Sequence, residues 1–373
     1  MATLPDGWSA FSLGDFVTLQ RGHDLPDGQR RRGLIPILGS FGITGWHDEA
    51  KAAGPGVSIG RSGASIGVAT YTELDYWPLN TVLYVTDFRG NDPRFVYYWF
   101  RANDLRGFNS GSAQASLNRN FLYRYLANIP RPAEQKAISA LLGALDDKVE
   151  LSRRMNETIM ALVRAIATLA ARDSAERKLA EVAAWERAIV NPGETPDVLF
   201  EHFSLPAFDD GQVPVKETGT MIKSQKLRVP HGAVLVAKLN PHIPRVWRPD
   251  DVALQNPVAS TEWVILRPLE AGAADLLHAL VSSEEFTMRL ATLTTGTTGS
   301  HQRVKPQDVL DMTVRWPQGS AEIKTFIRIL YDMSRSNSRQ SQTLLALRDT
   351  LLPRLISGEL RIRPAEELVE VAT

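Results

Sequence analysis

Cysteine is absent from the 373 residues, which excludes disulfides, thiolate zinc sites and cysteine nucleophiles together. Net charge is absent too, since 42 Lys and Arg balance 42 Asp and Glu. A chain of this kind can hold nucleic acid only by concentrating its cations locally, because no global field steers the polyanion. No stretch approaches the roughly 18 consecutive apolar residues of a membrane helix. The opening Met1-Ala2-Thr3-Leu4-Pro5-Asp6-Gly7-Trp8 has neither a basic segment nor an apolar core. No secretory signal is expected there, and the expected location is the cytoplasm.

Catalytic motifs are missing as well. There is no GxxxxGK[ST] phosphate loop and no Gly-x-Ser-x-Gly elbow. The run Gly54-Pro55-Gly56-Val57-Ser58-Ile59-Gly60 carries its last glycine one residue late for a dinucleotide fingerprint, and Pro55 marks a turn before a strand. Seven histidines show no ligand spacing. Asn191, Asn240 and Asn256 each precede proline but are followed by Gly193, His242 and Val258, not by the Pro-aromatic pair of adenine methyltransferases. Glu134-Gln135-Lys136 and Glu322-Ile323-Lys324 have the Glu-x-Lys shape of nuclease sites. Each opens an expected helix, where a glutamate is favoured by the dipole, so a helix-end role is the reading. No enzyme is expected, and no cofactor or metal bound by this chain.

With 43% hydrophobic and 23% charged residues, the chain reads as globular, with room for two or three domains. Two proline-free segments, from about Glu134 to Arg172 and from about Ala321 to Leu352, carry a heptad pattern. In the first, Ile138, Leu145, Ser152, Ile159 and Ile166 form one row, beside Leu141, Lys148, Met155, Leu162 and Leu169. In the second, Ile323, Leu330, Asn337, Leu344 and Leu351 form one row and Phe326, Met333, Gln340 and Leu347 the other, with a break expected at Pro353. The rows superimpose at a constant offset of 185 residues, about half the chain, and the polar position Ser152 falls on Asn337. The same offset carries Gly111 onto Gly296, Ile129 onto Val314 and Pro132 onto Pro317. Any two amphipathic helices can be slid into register, but matched polar breaks and flanking Gly and Pro favour two copies of one plan, with the helices packed on each other.

The globular parts also share a plan. Gly56–Arg61 and Gly232–Lys238 each read as a turn, an apolar strand and a cation. A second strand follows in each, Thr81–Val85 and Thr261–Ile265. The remaining polar and basic clusters lie in loops. They are Arg30-Arg31-Arg32 between Gly28 and Gly33, Ser116-Leu117-Asn118-Arg119-Asn120, and Ser300-His301-Gln302-Arg303-Val304-Lys305. Such side chains read base edges or hold phosphates. A solvated surface is the plainer reading of any one cluster, and recurrence before each long helix balances the two.

Several runs together resemble the specificity subunit of a type I restriction–modification system. They are Gly111–Arg119 leading into Ile129–Lys136, its counterpart Gly296–Pro306, and the ending Leu347–Leu360. Ile222–Ser224, Lys238–Trp247 and Asn256–Glu262 resemble one branch of that family's recognition domains. Ala180–Arg187 departs from the family by lacking the Gly-containing turn that Leu13-Gly14-Asp15-Phe16 supplies in the first copy. The resemblance implies a mixed α/β fold. Two globular target recognition domains (residues 1–133 and 173–318) would be separated by two long antiparallel helices (134–172 and within 319–373), a coiled coil with a pseudo-two-fold repeat.

It also implies that each domain reads half of a bipartite DNA target. Two modification subunits would supply S-adenosylmethionine chemistry, and a restriction subunit would use ATP and Mg. Candidate DNA contacts are Arg30, Arg31, Arg32, Arg61, Ser62, Asn118 and Arg119 in the first domain. In the second they are Lys238, Asn240, His242, Ser300, His301, Gln302, Arg303 and Lys305. Arg153, Arg154, Asn156, Arg339 and Arg348 are candidate docking residues on the helices, with an ordinary solvated face as the plainer reading. The competing expectation is a noncatalytic coiled-coil assembly protein whose globular ends bind proteins. A self-contained methyltransferase or nuclease lacks its motifs.

Overall fold

The computed structural model describes residues 4–108, 116–250, 254–294, 302–317 and 321–362. The chain is mixed α/β and divides into two compact units, 1–151 with 341–373 and 152–340. No helix among the described residues is long and apolar enough to cross a membrane.

In unit one, strand Trp8–Ser12 pairs antiparallel with Leu126–Pro130. A four-stranded antiparallel sheet has the order Thr18–Arg21, Val82–Asp87, Gly56–Gly60, Ala69–Thr72. A three-stranded sheet joins Gly42–His47, Ile35–Gly39 and Trp77–Pro78. The helix Pro93–Ala102 starts where Asp92 accepts from the Phe95 amide at 2.8 Å, with proline in its first turn. Its Phe95, Val96, Tyr98, Trp99 and Phe100 all enter the core.

Unit two has the same order in its two-stranded pair and four-stranded sheet, and differs in its third sheet. Glu176–Lys178 pairs with Thr313–Arg315, and a four-stranded sheet runs Ala183–Glu186, Trp263–Pro268, Val234–Ala237, Val246–Trp247. A five-stranded sheet runs Ile189–Val190, Lys226–Arg228, Pro257–Ala259, Leu199–Phe203, Val215–Thr218. Helices Ala274–Val281 and Glu284–Thr292 cover the core. His278, fully buried, accepts the Tyr331 hydroxyl at Nδ1 and donates from Nε2 to the Val246 carbonyl at 3.2 Å. Burial lowers its pKa to about 4, so the ring is neutral and fixes one helix to the sheet.

The long helices span Pro132–Ala171 and Ala321–Ile356. The second passes through Pro353, against the expected break. Proline there forfeits one hydrogen bond near the helix end, while Leu352, Leu355 and Ile356 are buried in the core of unit one. Gly358, at φ +77°, closes the turn beyond.

The buried stripes also differ from expectation. The rows through Ile138 and Leu330 face inward, but their companions lie four residues on, not three. Leu142 and Val163 are buried on the first helix and Ile327, Arg348 and Leu355 on the second. The expected companions Leu141, Met155, Leu162, Leu169, Phe326, Met333 and Leu347 are exposed. Within unit one, Asp146 meets Arg348 at 2.6 Å and Glu134 holds Arg361 in a fork. In unit two, Asn337 donates to Asn156 at 3.2 Å. Glu134 is therefore an ion-pair partner in the first helical turn. Its neighbour Gln135 accepts from the Asp92 amide at 3.0 Å and donates to Asn91 and the Pro130 carbonyl.

Candidate nucleic-acid interface

In unit one the strand Gly56–Gly60 is wholly buried and delivers Arg61 to the surface. The Arg61 amide donates to the Thr81 carbonyl at 3.2 Å. The Arg61 carbonyl accepts from Leu117 at 2.7 Å, and Ser62 bridges to Ser116. Leu117 is buried and anchors this crossing, which brings the candidates Arg61, Ser62, Asn118 and Arg119 into one region. The Arg61 guanidinium reaches Ser116 Oγ at 3.2 Å and, with that of Arg21, the Asn80 carbonyl. Burial and the charge of Arg21 pull the Arg61 pKa down. The two guanidiniums thus crowd one spot, and the described residues provide no ion pair to either. Asn118 caps the helix Arg119–Leu122 by accepting from the Asn120 amide at 3.0 Å. Arg119 donates to the Leu19 carbonyl at 3.2 Å.

Unit two repeats these backbone bonds. Val234–Ala237 delivers Lys238, whose amide donates to the Glu262 carbonyl at 2.9 Å. The Lys238 carbonyl accepts from buried Val304 at 3.1 Å, and Leu239 bridges to Arg303. Thr81 and Glu262 both immediately precede the adjoining strand. The side chains differ. Arg303 lays a fork on the Glu262 carboxylate at 3.1 and 3.0 Å, so the counterpart of the cationic spot is charge-balanced. Gln302 accepts from the Asn240 amide through its carbonyl at 2.8 Å. Asn240 has φ +49°, and its Oδ1 is buried without a partner, so that oxygen does not face a base edge. His242 and Lys305 are exposed. Ser300 and His301 lie outside the described residues.

The Arg30-Arg31-Arg32 triple is not one positive patch. Arg30 pairs with Asp27 at 2.9 Å and Arg31 with Asp48 at 2.7 Å, whereas Arg32 is exposed. Among the docking candidates, Arg153 pairs with Glu157 and Arg339 with Asp250, both at the surface. Arg154 is exposed and Asn156 is half-buried. Arg348 corrects the expectation, because it is buried and committed to Asp146 and Asp349. Arg21 and Asn80 had no place in the sequence reading, and Thr81 and Glu262 entered it only as parts of longer runs, not as site residues. Only the tertiary crossing brings them to the site, and no local pattern marks them.

A cleft of about 520 Å³ in unit two is lined by Arg248, Arg267, Asp275, Arg328 and Arg335, among others. Asp275 accepts from Arg248 at 3.0 Å and Arg335 at 2.6 Å. Its deepest charges thus satisfy one another. Among the described residues no cluster of metal-ligating side chains occurs.

The paired strand-end sites define a scaffold that presents different side chains from two similar frames. Residues 5–161 match the type I restriction modification DNA specificity domain. The type I S subunit of M. genitalium is similar in fold, with a TM-score of 0.62 at 14% identity over 95% of this chain and 97% of that one. The HsdS subunit from Thermoanaerobacter tengcongensis aligns at 15% identity over 96% and 98%, with a TM-score of 0.34. No curated protein matches the sequence. Over residues 5–161 the chain thus carries a match to the type I restriction modification DNA specificity domain, and its fold as a whole is similar to that of the M. genitalium S subunit.

Proposed function

We propose that each unit reads one half of a bipartite DNA target, while the two helices form an antiparallel coiled coil that sets the spacer between half-sites. The observation that carries this reading is the recurrence of the same backbone bonds at Arg61 and Lys238 beneath unlike side chains. One frame with two chemistries suits two half-sites of different sequence. In unit one, guanidiniums with no ion pair among the described residues fit guanine edges or phosphates. In unit two, Glu262 can accept from an exocyclic amine while it orients Arg303. The matched strand orders and the 185-residue offset support a pseudo-two-fold repeat, which complements the two-fold geometry of duplex DNA.

The exposed apolar rows support docking of modification subunits. Leu141, Met155, Leu162 and Leu169 on one helix and Phe326, Met333 and Leu347 on the other are 39–68% exposed. Isolated exposed apolar residues are common, but repeated rows at equivalent positions mark an interaction face. Two modification subunits, one for each row, would bring S-adenosylmethionine and adenine methylation, and a restriction subunit would join them. Flipping the target base falls to the modification subunits. The present chain contributes differential binding, with roughly 1–3 kcal/mol lost per mismatched pair.

Mapping adenine methylation across the host genome with and without this gene tests the reading. Loss of one bipartite methylated motif on deletion is the expected result. An unchanged map, with the partner subunits expressed, would refute it and leave the protein-binding scaffold as the reading to pursue.

A further inference from the structure

One exposed aromatic side chain stands beside the cationic spot of unit one without belonging to any core. Strands Ile35–Gly39 and Gly42–His47 form a hairpin whose last register pair is Gly39 with Gly42, leaving Ser40-Phe41 as a two-residue loop. Phe41 is 71% exposed. The loop is held firmly. Gly42 has φ +114°, a conformation open to glycine. A Cβ on Gly39 would stand 2.5 Å from the Thr44 methyl. Ser40 donates to the Thr81 carbonyl at 3.3 Å, the same oxygen that accepts from Arg61. Its own carbonyl packs so closely on Gly60 that a Cβ there would stand 2.7 Å away.

The hairpin tip, the strand-end arginine and Arg21, whose guanidinium shares the Asn80 carbonyl with Arg61, are thereby fixed to one another. Asp24, the nearby acid, is engaged by the Asn80 amide. An apolar ring on a short turn, whose neighbour Ser40 shares the Thr81 oxygen with Arg61, combines a wedge with nearby guanidiniums that can hold phosphates at an opened base step. Apolar side chains used this way unstack a step and kink the duplex, at a cost of a few kcal/mol that depends on the step.

We propose that Phe41 is such a wedge, entering the duplex at the half-site read by unit one and selecting for a deformable step. The proposal rests on the DNA-reading function proposed above, and its occupant is duplex DNA. The same ring on a protein surface would lack a use for two arginines that have no ion pair among the described residues.

The test uses the full chain assembled with its modification subunits and a duplex carrying the mapped target. 2-Aminopurine is placed in turn at each position of the first half-site. The wild-type complex is expected to raise fluorescence at one step. Phe41→Ala should abolish that rise and weaken cognate binding roughly tenfold or more, the scale of one lost base contact. Phe41→Leu should restore both, and the salt dependence should stay unchanged because no cation is lost. Mismatch penalties in the second half-site should also be unaltered.

Wild-type fluorescence and affinity in Phe41→Ala would overturn the wedge. So would a defect in recovering the modification subunits without DNA, which would assign the ring to a protein contact. A wild-type complex that binds no bipartite duplex would instead refute the DNA-reading function itself, before any variant is compared.

Discussion

Arg61 and Arg303 occupy corresponding frames but different electrostatic settings, and their substitutions should differ accordingly. Arg61 has no carboxylate among its described contacts, and its guanidinium is held by Asn80 and Ser116. Arg61→Ala is expected to relax specificity at one base pair of one half-site by about 1–3 kcal/mol. Competition binding against all four pairs at each position reads this directly. A uniform loss on every sequence, with the salt slope reduced by about one, would assign Arg61 to a phosphate instead. His278 makes a stability prediction. Its folded-state pKa, about 4, lies below the ordinary 6.5, so between these values the unfolded chain binds a proton that the folded chain refuses. The neutral ring's stabilisation is complete above pH 6.5 and falls as the pH drops towards 4, by about 2 kcal/mol at pH 5. Urea unfolding of wild type and His278→Gln at pH 7.5 and pH 5 checks this. The gap between them should narrow on acidification, and a constant gap would contradict the assignment.

At the scale of elements, the long helices show what one sequence does and does not disclose. The row through Ile138, Ser152 and Ile159 was legible because only one seven-residue repeat passes through those positions. Its companion was not. Apolar residues stand both three and four positions on, as Leu141 beside Leu142 and Leu162 beside Val163. Both spacings satisfy helical periodicity. Periodicity says that a face is apolar, not whether it turns to this chain's own core or away from it. The strands ending at Arg61 and Lys238 were readable from their apolar runs, whereas the pairing of Thr81 with Arg61 depends on tertiary crossing. The two rows predict opposite phenotypes. Leu162→Glu should change stability by less than about 0.5 kcal/mol and reduce recovery of modification subunits in pull-downs. Val163→Glu, which buries an unpaired charge in the core of unit two, should destabilise by several kcal/mol. If Leu162→Glu assembles normally, the exposed row is not the docking face.

For the whole molecule, the chain passes between its two units at residues 151–152 and 340–341, both within the long helices. If those helices set the spacer, their length and the DNA pitch must be commensurate. Seven residues inserted at each passage would add about 10.5 Å, near three base pairs at 3.4 Å each. A heptad nearly preserves the facing of an α-helix, but three base pairs turn a half-site by roughly 100° around the duplex. The single insertion should therefore abolish tight binding both to the original target and to one with three added base pairs. Twenty-one residues at each passage would add about 32 Å, close to the roughly 34–36 Å of one DNA turn. That variant should bind again, now to a target whose spacer is longer by nine or ten base pairs, with both half-sites unchanged. Selection from a pool of duplexes with randomised spacer lengths would measure this. Recovery of the original spacer by the long variant would show that the helices do not act as the ruler.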